Sequence, residues 1–273
     1  MNALVDKKQW TKSLASQWHL FLPPARPSLS ELAVIERYML DMKKARGSIK
    51  VAILGSTPEY CDLCQTYNVP YTCIDYNPDA FHILGGYMRY KDTDASLAVA
   101  DWRTMELKDR FDIFLGDLAT TVTPVSDHPA VFEKVRKHCK DGAKVLLKTA
   151  LRSSNERLSH EDIFKLYRFE LSHLNPFAAV WHEVLLADYD FTRDTMHCQT
   201  SLTCLRKSFE ERIITPYEFE EFKKRWDVLS DFEMNVPLQR EFLKTAERYF
   251  EICEIISGSD WYKEQVPILV FRA

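Results

Sequence analysis

Glycine is scarce in this 273-residue chain, seven in all, and nowhere do the glycines form a G-x-G-x-x-G set. A pyrophosphate cradle needs those glycines so that backbone can approach phosphate closely. A dinucleotide is therefore disfavoured, and with it nicotinamide-dependent oxidoreduction. Long apolar runs are also missing: none approaches the ~20 residues that span a bilayer. The N-terminus lacks the charged, apolar, small-residue order of a signal peptide, so the expectation is a cytoplasmic protein with no membrane partner. Charge of one sign is absent too. Lys and Arg number 36 against 40 acids, a formal −4, which argues against a broadly basic nucleic-acid surface. The seven cysteines, at 61, 64, 73, 139, 198, 204 and 253, are odd in number and lack a disulfide-framework spacing, so they read as reduced thiols. Cys61 and Cys64 make one C-x-x-C with no second pair, which favours packing within a helix over zinc or redox chemistry. His182-Glu183 does not extend to H-E-x-x-H, and no metal is implied.

What is present begins at Lys50–Asp75, KVAILGSTPEYCDLCQTYNVPYTCID. An apolar run, a turn at Gly55, a helix-length stretch and a second apolar run ending in an acid make a βαβ unit. Parallel strands joined by one helix bring the turn after the first strand and the acid after the second to one edge of the sheet. Gly55 and Asp75 thus become neighbours, and an acid there can accept hydrogen bonds from both hydroxyls of an adenosine ribose. After Gly55 comes a helix start: Ser56 or Thr57 as N-cap, Pro58 in the first turn, Glu59 complementing the positive helix end. A ligand with adenosine but no phosphate suits this better than a dinucleotide, and S-adenosylmethionine is the common one.

The segments VAILGSTPE, CIDYNPDAF, VADWR and FDIFLGDLA resemble, in order and spacing, the successive motifs of class I S-adenosylmethionine-dependent methyltransferases. The resemblance covers residues 49–152, and the strand pair at 249–272 completes it. It departs from the glycine-rich first motif at Ser56, Thr57 and Pro58, which also argues against a polyamine synthase. It implies an α/β fold, a doubly wound, mostly parallel seven-stranded sheet with its last strand antiparallel. It implies S-adenosylmethionine as cofactor, with S-adenosylhomocysteine as product. On that pattern the cofactor positions are Leu54, Gly55, Ser56, Thr57 and Glu59; Asp75, Tyr76 and Asn77; Asp101 and Trp102; and Gly116, Asp117 and Leu118. Asp101 or its backbone would address the adenine amino group, with Trp102 packed on the ring; the alternative for Asp101 is a loop cap. Asp117, at the carboxyl edge of the fourth strand, can hold the methionine ammonium, orient an acceptor, take its proton, or cap a turn. Gly116 beside it would permit close backbone approach.

Around this core at 49–152, residues 1–48 read as an N-terminal helical flap carrying Trp10, Trp18, His19, Phe21 and Arg26, with Ser28 or Ser30 as a helix cap. Residues 153–245 read as a helical insertion between the fifth and sixth strands, with Ser159, Asn175 and Thr215 at helix starts; residues 246–273 supply the last two strands. The insertion can cover a substrate, pair two copies as a homodimer, or do both. A methyl sulfonium is already activated, so a transferase needs chiefly alignment and exclusion of water. If a base is required, His173, His182, Glu183 and His197 are candidates beside Asp117. Asp188 and Asp190 could join Asp117 on a divalent cation, or form a solvated helix-end cluster with Tyr189. The expectation is methyl transfer to a small-molecule acceptor; the alternative is a non-catalytic S-adenosylmethionine-binding regulatory module.

Overall fold

The strand β1 (Val51–Leu54) is buried at all four positions, and its alternating side chains feed two different cores. Val51 and Ile53 pack with Ile35 and Met39 of α1 (Leu29–Arg46) and with Tyr60, Cys61 and Cys64 of α2 (Pro58–Thr66). Ala52 and Leu54 face the opposite way, toward Val131, Phe132 and Val135 of a helix at His128–His138. That two-sided burial is why the strand reads as an unbroken apolar run. The structure is a computed structural model describing residues 12–90 and 96–273; Trp10 lies outside the described residues.

The chain continues through β2 (Tyr71–Asp75), α3 (Pro78–Gly85), β3 (Ser96–Val99), β4 (Phe111–Asp117), α4 (His128–His138) and β5 (Cys139–Lys148). Five helices follow: α5 (His160–Leu166), running into a π turn at Tyr167–Leu171, then α6 (Pro176–Ala187), α7 (Cys198–Glu210), α8 (Pro216–Trp226) and α9 (Gln239–Ala246). The sheet is completed by β6 (Glu251–Ile256) and β7 (Ile268–Arg272), giving the order β3-β2-β1-β4-β5-β7-β6. Strands β1 to β5 pair in parallel, and β7 runs antiparallel between β5 and β6. The third strand ends at Val99, so Asp101 and Trp102 sit in the loop beyond it and not on the strand end expected from LAVAD.

Local chemistry sets the helix starts. Ser28 and Glu31 form a reciprocal capping box on α1, as do Thr215 and Glu218 on α8; Ser159 and Asn175 cap α5 and α6. The C-x-x-C is buried in α2, with Cys61 Sγ 3.6 Å from Cys73 Sγ, and all seven cysteines are free thiols.

A third apolar cluster joins α5 to α8 with α3 and the N-terminal segment, including Trp18, Phe21, Leu84, Trp181, Phe222 and Trp226. Arg225 of α8 donates to the Leu20 carbonyl at 2.7 Å and lies over the Phe177 ring, fastening the N-terminal segment to these helices. Helix α9 instead returns to the sheet, where Phe242 meets the rings of His128 and Phe132 edge-on at 5.4 and 5.5 Å.

Candidate active site

A cavity of about 560 Å³ opens across the carboxyl ends of β1, β2 and β4, within the range of roughly 300–1,000 Å³ for small-ligand sites. In open α/β sheets this edge is where the strand order reverses and ligands bind. The inner half of its wall comes from the sheet edge: Leu54, Gly55, Ser56, Thr57, Asp75, Tyr76, Asp101, Trp102, Asp117 and Leu118, and Arg103, next to Trp102, borders the cavity as well. These residues are brought together from four separate motifs.

Gly55 has φ +92°, a conformation L side chains rarely adopt, and donates to the Ile74 carbonyl at 2.8 Å. The Trp102 ring lies over it, anchored by Nε1 donating to the same carbonyl at 2.6 Å. Asp75 accepts from Ser56 Oγ and from Asn77 N–H, both at 3.0 Å. Burial raises its pKa, and those two hydrogen bonds pull the other way. Asp101 also borders the cavity, but its carboxylate is gripped by the Arg103 guanidinium, which reaches on to Asp127 at 2.9 Å. Arg103 also donates its backbone N–H to Asp101 Oδ1 at 2.9 Å, so both carboxylate oxygens are engaged by that residue.

Asp117 stands at the end of β4, followed by Leu118 with φ +53°. Beneath it lies a buried ionic cluster. Lys148 Nζ, on the last residue of β5, is 3.3 Å from Asp117 Oδ1, 3.0 Å from Glu31 Oε2, and donates to the Arg26 carbonyl at 2.9 Å. Arg26 in turn pairs with Glu59, which accepts from Trp18 Nε1 at 3.3 Å. Glu31, Glu59 and Asp117 thus set three carboxylates against two cations. Burial raises the pKa of all three, and Asp117 reaches about 6 although Lys148 opposes the shift. Asp117 Oδ1, Glu31 Oε1 and Glu59 Oε2 are buried without hydrogen-bond partners; the Lys148–Asp117 approach is an ion pair without hydrogen-bond alignment.

Several expected positions fall elsewhere. Gly116 does not border the cavity, because a Cβ there would come 2.8 Å from Leu147 Cδ2: the glycine admits a neighbouring strand's side chain, not a ligand. Asn77 caps α3 by accepting from Asp79 N–H, and Glu59 acts from behind the wall through Arg26 and Trp18. His182 is buried with Nε2 2.8 Å from the Leu151 carbonyl, and burial lowers its pKa to about 4. One position earlier on α6, Trp181 borders the cavity instead. His173 is exposed beyond the π turn, and Glu183 and His197 are also outside the cavity wall. Neither His182 nor His173, the histidines expected as catalytic bases, is thus brought to the cavity wall. Asp188 pairs with His160 and accepts from Ser201, and Asp190 accepts from Thr192 and Arg193 N–H groups. Among the described residues no three His, Cys, Asp or Glu side chains gather as a metal-ligand set.

The outer half of the wall was less readable. Trp18, Phe21 and Ala25 come from the N-terminal segment, Leu84 from α3, and Thr121, Val122, Thr123 and Pro124 from the loop after β4. Trp181, Leu229, Phe232 and Met234 come from the helical block. The aromatics at 18 and 21 were visible as more than a linker requires; nothing in the spacing of 181, 229, 232 and 234 links those positions.

No family model matches the chain, and no curated protein matches it in sequence. Among solved structures, it is similar to the CcbJ methyltransferase from Streptomyces caelestis at TM-score 0.63 and 8% identity, covering 98% of this chain and 99% of that one. A Rhodobacter sphaeroides protein provisionally described as a Zn-dependent alcohol dehydrogenase aligns at TM-score 0.56 and 15% identity, over 96% and 99% of the two chains. The PH0226 protein from Pyrococcus horikoshii OT3 aligns at TM-score 0.53 and 14% identity, over 94% and 98%. At these identities the likeness is one of fold.

Proposed function

We propose that this chain, whose fold is that of the class I S-adenosylmethionine-dependent methyltransferases, transfers a methyl group from S-adenosylmethionine to a small-molecule acceptor. The observation that carries the reading is the charge of the inner half: the cluster behind Asp117 is one cation short, and three of its carboxylate oxygens, one each on Glu31, Glu59 and Asp117, lack hydrogen-bond partners. That deficit suits a ligand with a cationic end. A pyrophosphate would meet like charge there, as well as a turn without the glycines that admit it.

In this reading Asp75, held by Ser56 and Asn77, receives the ribose hydroxyls. Trp102, Val99 and Ala100 flank the adenine, with Asp101 or its backbone addressing the amino group. Asp117, which borders the cavity at the end of β4, holds the methionine ammonium. S-adenosylmethionine, when bound, supplies a methyl already activated by the sulfonium charge. What the chain adds is alignment for in-line displacement and exclusion of water by the N-terminal segment and helical block. A base, where the acceptor needs one, would come from the sheet edge, where Asp117 borders the same cavity.

Calorimetric titration with S-adenosylmethionine, S-adenosylhomocysteine and NAD tests this. Selective binding of the first two is expected, and preference for NAD would sink the proposal. Single-turnover assays with radiolabelled methyl donor then separate a transferase from a regulatory binding module, which would bind without transfer.

A further inference from the structure

Glu59 lies in the first turn of α2, directly after the turn at 55–57, yet it does not border the cavity. Its Oε1 accepts from Trp18 Nε1 at 3.3 Å and pairs with the Arg26 guanidinium, which stands 5.6 Å over the Trp18 ring. Its Oε2 is buried without a hydrogen-bond partner. A buried carboxylate satisfied on one side only is a poor choice for packing alone. What it holds is a buried aromatic side chain that does border the cavity.

The anchors of Trp18 lie toward one end of the sheet edge. In the order β3-β2-β1-β4-β5, Asp101 follows β3 and Asp75 ends β2, whereas Glu59 follows β1, Asp117 ends β4 and Lys148 ends β5. Lys148 reaches both Asp117, at 3.3 Å, and the Arg26 carbonyl, at 2.9 Å. Trp18 is thus tied to the end of the cavity marked by Asp117, away from the end marked by Asp101. The N-terminal segment does not depend on Glu59 for its attachment, because Arg225 donates to the Leu20 carbonyl at 2.7 Å and Lys148 to that of Arg26. What Glu59 adds is the orientation of one ring. Ordering a loose side chain when a ligand arrives costs about two- to tenfold in affinity, and a ring already held does not incur that cost.

Building on the cofactor reading above, we infer that Trp18 covers the methionine end of the S-adenosyl ligand, and that Glu59 is the positioning residue that holds its indole in place before the ligand arrives.

The test titrates the full chain calorimetrically with S-adenosylhomocysteine and with 5′-methylthioadenosine, which keeps the thioether but lacks the amino-acid end. Trp18→Ala should lose affinity for S-adenosylhomocysteine and keep its affinity for 5′-methylthioadenosine. Glu59→Gln and Glu59→Ala remove the same charge, but only Gln keeps an oxygen for the indole N–H. The Gln variant should therefore bind S-adenosylhomocysteine about two- to tenfold more tightly than the Ala variant. That difference should vanish in a Trp18→Phe background, which has a ring but no N–H. Equal losses for the two ligands in Trp18→Ala, or no loss for either, overturn the inference. So does a Gln-over-Ala difference that is absent from the wild-type background or persists with Trp18→Phe. The Gln and Ala comparison decides the matter even if Trp18→Ala folds poorly. Wild-type protein that does not bind S-adenosylhomocysteine overturns the cofactor reading and this inference with it, whereas binding with the wrong pattern among the variants overturns this inference alone.

Discussion

Replacing Asp117 with Asn should make the ligand-free protein more stable while weakening its grip on the cofactor. Burial raises the Asp117 pKa from the ordinary 3.8 to about 6, with Glu31 adding to the rise and Lys148 opposing it. The folded state therefore holds this proton up to about pH 6, whereas the unfolded chain releases it near 3.8. Stability contributed by the protonated form is fully present below pH 3.8 and is lost as pH rises through 6. At 1.36 kcal/mol per pKa unit, the loss amounts to about 3 kcal/mol at pH 7.5 and about 1 kcal/mol at pH 4.5. Asn keeps the shape and cannot ionise, so Asp117→Asn should recover up to those amounts. Urea unfolding of both proteins at the two pH values measures it. The same variant should lose about 10- to 100-fold in S-adenosylhomocysteine affinity at pH 7.5, as expected for a charge-assisted hydrogen bond of roughly 1.5–3 kcal/mol. A variant less stable than wild type at pH 7.5, or one whose advantage does not shrink with acid, would refute the reasoning about the cluster.

Four further outcomes follow from the geometry. Wild-type affinity for S-adenosylhomocysteine should fall about tenfold between pH 7 and pH 5, because protonation of Asp117 with a pKa near 6 removes the ammonium's partner; calorimetry in matched-ionic-strength buffers reads this directly. Asp75→Ala should weaken cofactor binding by about 1.5–3 kcal/mol, and a folded variant with unchanged affinity would remove Asp75 from the site. Gly116→Ala should cost about 1–3 kcal/mol in chemical denaturation, since its Cβ would press Leu147 at 2.8 Å. His182→Gln should leave cofactor affinity and turnover at wild-type levels, because His182 faces the Leu151 carbonyl and lies outside the cavity wall; a turnover loss in a stably folded variant would restore it as a base.

The sheet was legible because its strands are buried on both faces, and such strands print an apolar run whatever the ligand. VAIL, YTCID and FDIFLGD each become the strand their composition suggests. The βαβ geometry then carries Gly55 and Asp75 to one edge without any information about side-chain packing. Gly116 shows the limit of such reading: a glycine before a strand-end acid can serve a ligand or a neighbouring leucine, and only the Leu147 approach decides between them. His182 and Trp181 show another. Adjacent residues on a helix point about 100° apart, and the identity of the face that meets the cavity depends on how α6 packs, which no local pattern records.

Lys148 is the residue whose importance was least visible, standing as a lone cation at the end of the apolar run AKVLLK. Its ammonium is buried because three distant segments meet there: β4 brings Asp117, α1 brings Glu31, and the chain before α1 brings the Arg26 carbonyl. Such a cluster is a poor way to gain stability, since desolvating ions costs several kcal/mol each and apolar packing would serve the fold as well or better. Its shape is better explained by what it leaves undone. Arg26 and Lys148 set two cations against three acids and hold the N-terminal segment against the sheet edge, while Asp117, ion-paired to Lys148 without hydrogen-bond alignment, borders the cavity. A cationic ligand end at Asp117 would complete the charge balance of the same cluster that fastens Arg26 and Trp18 to the sheet edge through Lys148 and Glu59.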